Sequence, residues 1–348
     1  MGAIYSLIRQ NIRDLKPYSS ARDEYDGKNA VFLDANENPY FQTLNRYPDP
    51  RQRNLKRIIS EMRSVPENNI FLGNGSDEAI DILVRAFCEP GTDNIVSIDP
   101  TYGMYEVVAV INGTGYRKVP LRTDFRLDVD ALRESSDQNT KIIFLCSPNN
   151  PTGNSFTYSD INNIVNWFDG ILIIDEAYID FSEKQGFLGM IDEIHNLVVL
   201  QTMSKAWGKA GIRLGMAFAN EQITDVMNKI KPPYNINSLT IHEAQATLGN
   251  ETEKNRHVSE ILKNRTWLFE KLQELKTVKK IYPSDANFLL VEVDDAAGIY
   301  NYLTSQNIIV RNRSGTAGCE NCLRITIGAR EEIEQLLKAW SDYETDDK

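Results

Sequence analysis

The chain has little cysteine, less histidine, a deficit of positive charge and no long apolar run. Four cysteines and three histidines among 348 residues leave few soft ligands for a metal. Cys88 and Cys146 lie in or beside apolar segments and read as small core residues. Cys319-Glu320-Asn321-Cys322 has C-x-x-C spacing, but no second pair and no nearby histidine completes a metal site. Such cysteine usage suits a reducing cytoplasm. Lysine and arginine number 38 against 49 acidic residues, and the net charge of −11 argues against nucleic acid or an anionic membrane as main partner. Anionic small substrates would then need local clusters of arginine. No stretch is long enough to span a bilayer, and the N-terminus lacks the apolar core of a signal peptide. Met1–Ser6 fits the loose myristoylation pattern, but no polybasic segment follows and the match reads as chance. Internal repeats and low-complexity linkers are also missing.

What remains is an ordinary globular composition, 41% hydrophobic and 25% charged, in a length that usually splits into two domains. From about residue 68 to 220, helices alternate with short apolar strands. Asn94–Asp99, Lys141–Cys146, Gly170–Asp175 and Leu197–Leu200 are β-branched, nearly continuous runs, as strands buried on both faces of a mostly parallel sheet are. Ser76-Asp77-Glu78 opens a helix ahead of Ile80, Leu83, Val84 and Phe87. A helical stretch from about 221 to 276, broken at Pro232-Pro233, leads to a smaller α+β unit. There Asn287–Val293 and Leu323–Ile327 are expected as strands, and Ala296–Ser305 and Glu331–Trp340 as helices. The expected division is an arm at 1–35 packing near the smaller unit, a large domain at 36–230 and a small one at 231–348.

Several expected strands end in residues with chemical potential, and in open α/β sheets ligands bind at the carboxyl ends of strands. Ser204-Lys205 follows Leu197–Leu200, with Arg213 eight residues beyond the lysine; a hydroxyl and a guanidinium there suit a phosphate, although a solvated lysine after a buried strand is equally ordinary. Asp175 ends Ile171–Ile174, where a carboxylate is costly unless paired, and reads as a functional acid or a structural ion pair. Tyr178 reads as a site, core or surface tyrosine. Asn150, in Asn149-Asn150-Pro151-Thr152-Gly153, reads as a site residue or a plain turn. Gly75, Ser76 and Asp77 precede or open a helix whose free N–H groups suit a phosphate, as many tight turns do without binding one. Tyr102, after Asp99-Pro100-Thr101, is a stacking platform or a turn aromatic.

The order of these features resembles the fold-type I pyridoxal-phosphate aminotransferases over nearly the whole chain. That resemblance implies an α/β fold: a large domain with a mostly parallel central sheet flanked by helices, plus a smaller α+β domain. It implies pyridoxal 5′-phosphate as cofactor and no metal. Lys205 would form the Schiff base with its aldehyde and act as the catalytic acid and base, and Asp175 would pair with the ring nitrogen. Tyr178 and Asn150 would bond its phenolic oxygen, and Tyr102 would stack on the ring. Gly75, Ser76, Asp77, Ser204 and Arg213 would hold its phosphate.

The chain looks closer still to the histidinol-phosphate aminotransferase family. Asn11–Tyr18 with Ser20-Ala21-Arg22, then Leu33–Tyr40 and Asn45–Pro50, resemble that family's N-terminal arm. Arg311 and Arg324, thirteen residues apart, match its pair for a substrate phosphate or the glutamate carboxylate. The resemblance implies that Tyr47 reaches the partner's cofactor phosphate in a homodimer with shared sites, and that Tyr18 and Asn36 shape the substrate pocket. It implies transfer of the amino group of L-glutamate to imidazole acetol phosphate in histidine biosynthesis, in the cytoplasm. Arg313–Asn321 is not diagnostic of the family, and Arg313 is an extra cation that competes with Arg311 for the phosphate role. An aromatic amino-acid aminotransferase and a pyridoxal-phosphate-dependent threonine-phosphate decarboxylase are the rival readings. An aminotransferase-like regulator would need a basic DNA-binding domain, for which the short arm and the acidic chain leave no room.

Overall fold

The structure is a computed structural model that describes residues 3–22, 25, 30–41 and 43–346. Its larger sheet holds β1 (Ile70–Asn74), β2 (Asn94–Asp99), β3 (Gly115–Pro120), β4 (Thr140–Cys146), β5 (Ile171–Asp175), β6 (Leu197–Thr202) and β7 (Leu214–Ala219). Their order is β1-β7-β6-β5-β4-β2-β3. β2 pairs in parallel with β3 and β4, and β4, β5 and β6 follow in parallel, while β7 runs antiparallel to both of its neighbours. The sheet is thus mostly parallel, and the apolar runs of its central strands have a direct cause. Leu172, Ile174, Leu197 and Val199 point into one core, and Ile171, Ile173, Val198 and Leu200 into the core on the opposite face. Helices cover both faces, so no alternate position is left to water.

A smaller antiparallel sheet follows: β8 (Val278–Ile281), β9 (Phe288–Val293), β10 (Arg311–Asn312) and β11 (Cys322–Thr326), in the order β10-β11-β9-β8. Helices Ala296–Ser305 and Arg330–Asp346 cover it, burying Ile299, Leu303, Ile333 and Trp340 in a third core. The helix Glu251–Leu272 spans the junction of the two units. Val258 packs with Tyr178, Phe181, Ala206 and Phe288, whereas Leu268 and Leu272 belong to the smaller unit's core.

Two placements differ from the sequence expectation. The N-terminal arm packs against the larger unit rather than near the smaller one. Ile4 and Ile8 bury in the core beside the helix Ser76–Phe87, the Arg9 N–H bonds the Ala86 carbonyl at 3.0 Å, and Lys229 Nζ bonds the Arg13 carbonyl at 2.9 Å. Apolar arm residues find their burial there. Residues 231–248 also side with the larger sheet: Ile236, Ala244 and Leu248 share a core with Leu55 and Ile59. Asn237 caps the helix Ser238–Leu248 by accepting the Thr240 N–H, so Pro232-Pro233 ends one helix without ending the unit.

Candidate active site

The cleft forms where β1, β4, β5 and β6 end beside the smaller sheet. After β1 the chain turns at Gly75 (φ 77°) into the helix Ser76–Phe87, whose first turn has no capping side chain. Its first N–H groups therefore lack intrahelical partners and face outward with the positive end of the helix dipole. A Cβ on Gly75 would stand 2.5 Å from Arg213 Nη2, and one on Gly215 would stand 2.1 Å from the Ser76 nitrogen. Gly215 is needed for this close approach of β7 to the helix start, where a Cβ would meet backbone, and Gly75 for its positive φ. Arg213, itself left-handed at φ 55°, closes the turn: its carbonyl accepts the Gly75 N–H at 2.8 Å. Its guanidinium lies 3.5 Å from the Asp77 carboxylate, which also accepts the Tyr102 hydroxyl at 3.1 Å. Ser204 Oγ sits 3.0 Å from Thr202 Oγ1 at the end of β6.

Asp175, at the end of β5, is 3% exposed and makes no ion pair with a described residue. Its Oδ2 accepts the Tyr105 hydroxyl at 2.8 Å and its Oδ1 accepts the Ala177 N–H at 3.1 Å. Burial raises its pKa to about 6, against the opposing effect of those two hydrogen bonds. Lys205 Nζ stands 5.5 Å from the centre of the Tyr178 ring. The lysine opens onto solvent within the cleft, yet crowding by protein, then the charge of Arg324, lowers its pKa, against the pull of Asp175. Tyr178 is buried and packs edge-on to Phe288 at 5.2 Å, and desolvation raises its pKa. Asn150 joins two sides of the cleft: its Nδ2 donates to the Tyr178 hydroxyl at 3.4 Å, and its Oδ1 accepts from Arg324 Nη1. Asn149 keeps that loop in place by donating to the Pro100 carbonyl at 2.9 Å and to Thr152 Oγ1 at 2.8 Å.

Gly75, Ser76, Asp77, Tyr102, Asn150, Asp175, Tyr178, Ser204, Lys205, Arg213 and Arg324 thus meet in one cleft. Arg311 stands opposite Arg324 in the β10–β11 ladder, at the exposed rim. Tyr18, Asn36 and Tyr47 lie elsewhere within this chain. Tyr18 is 74% exposed and lines a cleft with Pro50, Lys56 and Lys231. Asn36 and Tyr47 line another cleft, of about 540 Å³, where Tyr47 stacks on Tyr234 at 4.4 Å. Tyr105 was not singled out by its sequence context, because its spacing within the helix Met104–Ile111 is that of a core residue. It is fully buried and stacked on Phe144 at 4.5 Å, and only the structure shows its hydroxyl on Asp175. Cys319 and Cys322 are buried free thiols whose pKa values burial pushes up to about 12, which leaves them without thiolate reactivity. Among the described residues no cluster of histidine, cysteine and carboxylates is arranged to hold a metal ion, and no helix is long and apolar enough to cross a membrane.

This cleft can hold a small anion at the helix start and a cation against Asp175, and presents an amine of lowered pKa between them. Comparison with known proteins agrees with that capacity. The family described as "Aminotransferase class I and II" matches residues 24–339. The chain is 54% identical over 345 residues to a histidinol-phosphate aminotransferase of Bacteroides fragilis, covering 99% of this chain and 100% of that protein. Among solved structures, the histidinol-phosphate aminotransferase of Clostridium acetobutylicum superposes with a TM-score of 0.80 at 24% identity, covering 87% of this chain and 92% of that one. The Sinorhizobium meliloti enzyme of the same name, solved with pyridoxal-5′-phosphate, also gives 0.80, at 22% identity over 87% of this chain and 84% of that one.

Proposed function

The chain belongs to the class I and II aminotransferases, and from that premise we propose that it exchanges an amino group between L-glutamate and imidazole acetol phosphate, giving 2-oxoglutarate and L-histidinol phosphate. The observation that supports this best is a buried carboxylate that forms no ion pair with a described residue, Asp175, beside a lysine of lowered pKa and an uncapped helix start. Those residues fit pyridoxal 5′-phosphate. The unpartnered N–H groups of Ser76 and Asp77, with Ser204 and Arg213, suit its phosphate, in the space that a Cβ on Gly75 would take from Arg213. Asp175 suits the protonated ring nitrogen, Tyr102 the ring face, Tyr178 and Asn150 the phenolic oxygen, and Lys205 the aldehyde carbon. When bound, the cofactor supplies an electron sink conjugated to the substrate Cα.

The protein's own part is positioning and proton transfer. Arg324, with Arg311 at the rim, binds the anionic end of each substrate and so fixes where Cα stands. The Arg324–Asn150 hydrogen bond ties that grip to Tyr178. Lys205, whose pKa is lowered by desolvation and then by Arg324, takes the Cα proton and returns it as the amino group changes hands. Glutamate and the phosphorylated substrate occupy the site in turn, so one anion subsite serves both.

The active form in this reading is a homodimer with shared sites. Tyr18, Asn36 and Tyr47 stand away from the Lys205 cleft of their own chain, and Leu33, Tyr40, Phe41, Leu44 and Leu239 expose apolar surface around them. The same reading places the reaction in the cytoplasm, which the four free thiols support. The test is L-glutamate formation from L-histidinol phosphate and 2-oxoglutarate by the cofactor-loaded protein. The proposal predicts a higher kcat/KM with L-histidinol phosphate than with L-phenylalanine as amino donor; the reverse order would move the assignment to an aromatic amino-acid aminotransferase.

A further inference from the structure

The arm between the helices Gln10–Asp14 and Arg53–Arg63 forms no helix or strand among its described residues. No backbone ladder therefore fixes Tyr47, and charged side chains bind its main chain instead. Its N–H donates to Glu37 Oε1 at 2.6 Å, and its carbonyl accepts from Arg22 Nη1 at 2.6 Å. The two clamping residues are joined to each other, with Arg22 Nη2 2.7 Å from Glu37 Oε2. Arg46 Nη1 donates to that same oxygen at 2.6 Å and to the Phe32 carbonyl at 3.2 Å. The Arg22 guanidinium lies over the Phe32 ring, 4.7 Å from its centre, and its Nε stands 3.4 Å from Asp34. The three arm motifs of the sequence, at 20–22, 33–40 and 45–50, thus converge on the backbone of one tyrosine.

The side chains of Arg22 and Glu37 are only 8% and 4% exposed, whereas Tyr47 itself is exposed. Burying two charges in an irregular segment costs desolvation, so such a pair is a poor source of stability. What this pair supplies is geometry. With both main-chain groups of Tyr47 bound to one joined pair, the direction in which its side chain leaves the backbone is fixed. The ring is backed as well: it stacks on Tyr234 at 4.4 Å. The next residue, Asn235, donates to the Leu72 carbonyl and to Glu78, each at 2.9 Å. Tyr47 therefore stands on a mount anchored in the larger unit, at a distance from the Lys205 cleft of its own chain.

We propose that Arg22 and Glu37 are positioning residues for Tyr47, and that they act through it on the cofactor phosphate bound by the neighbouring copy rather than on the site of their own chain. The inference rests on the shared-site reading given above, since it explains how Tyr47 is held for that role.

Titration of cofactor-free protein with pyridoxal 5′-phosphate, and with pyridoxal, which lacks the phosphate, tests the clamp. Tyr47→Phe should weaken pyridoxal phosphate about 10- to 100-fold and leave pyridoxal unchanged, as expected for one lost hydrogen bond to a charged group. Glu37→Gln, which keeps the volume but releases Arg22, should weaken pyridoxal phosphate about 3- to 10-fold, again without effect on pyridoxal. Glu37→Gln combined with Tyr47→Phe should be no weaker than Tyr47→Phe alone, because the pair acts only through that hydroxyl. Arg22→Met removes the other half of the clamp and repeats the cycle if Glu37→Gln does not fold. Additive losses in the double variant, or equal weakening of pyridoxal, overturn the proposal. Mixed dimers decide which site is served. A dimer of one Glu37→Gln chain and one Lys205→Ala chain keeps a single lysine-linked site, on the Glu37→Gln chain, and its Tyr47 comes from the Lys205→Ala chain. The visible absorption of that site should fill at the wild-type pyridoxal phosphate concentration. Filling as weak as in the Glu37→Gln homodimer would confine the clamp to its own chain and overturn the proposal. Failure of the shared-site reading shows separately, as wild-type pyridoxal phosphate affinity in Tyr47→Phe, and removes the proposal with it.

Discussion

Asp175 is the most exacting residue in the cleft, because a buried carboxylate with hydrogen bonds but no ion pair to a described residue is only half compensated. Its pKa of about 6 lies above its ordinary 3.8, so the folded cofactor-free protein holds this proton more tightly than the unfolded chain does. The stability it contributes is present in full below about pH 4 and is lost as pH rises through 6. That loss is on the order of 3 kcal/mol. Glu176, raised to about 7 by burial, adds a slope of the same sign and serves as a constant background. Denaturant midpoints of cofactor-free protein between pH 4 and 7 should therefore fall less steeply in Asp175→Asn. In Tyr105→Phe, which loses a bond to the charged form, the fall should extend to higher pH; unchanged profiles in both variants would contradict this account of the carboxylate. The sequence revealed Asp175, because a charge closing an apolar run stands out locally. It did not reveal Tyr105, whose role depends on a contact seventy residues away between a helix and a strand end.

At the scale of elements, the function of the cradle depends on β7 running close to the start of the helix Ser76–Phe87. Gly75→Ala places a Cβ 2.5 Å from Arg213 Nη2 at a φ that L side chains seldom adopt. The variant should lose about 1–3 kcal/mol of stability in denaturant melts and bind pyridoxal phosphate more weakly, with Arg213 displaced. Wild-type affinity would show that the close approach does not shape the phosphate site. Central strands β2, β4, β5 and β6 were legible because burial on both faces demands uninterrupted β-branched and leucine side chains. β7, Leu214-Gly215-Met216-Ala217-Phe218-Ala219, was not, since glycine, methionine and alanine carry little strand preference and its place is fixed by the helix start it passes. β10, two residues long, was invisible for want of length, and with it the placing of Arg311 opposite Arg324.

At the scale of the molecule, the single chain brings together the other residues proposed for the cofactor but leaves Tyr18, Asn36 and Tyr47 facing other clefts. Motifs announce that such residues belong to a site without saying whose; the distinction depends on assembly, which sequence spacing does not encode. If two copies share sites, mixing Lys205→Ala subunits with Tyr47→Ala subunits should restore activity that neither has alone, because one site of each mixed dimer is then intact. Mixtures no more active than the separate variants would confine each site to one chain. The central claim is that Lys205 carries the proton in amino transfer, and the rate of L-glutamate formation from L-histidinol phosphate and 2-oxoglutarate tests it most directly. Lys205→Ala should lower that rate at least about a thousandfold, with the cofactor still bound noncovalently through the Gly75–Asp77 turn, Ser204 and Arg213; a variant that keeps a substantial fraction of the wild-type rate would contradict it.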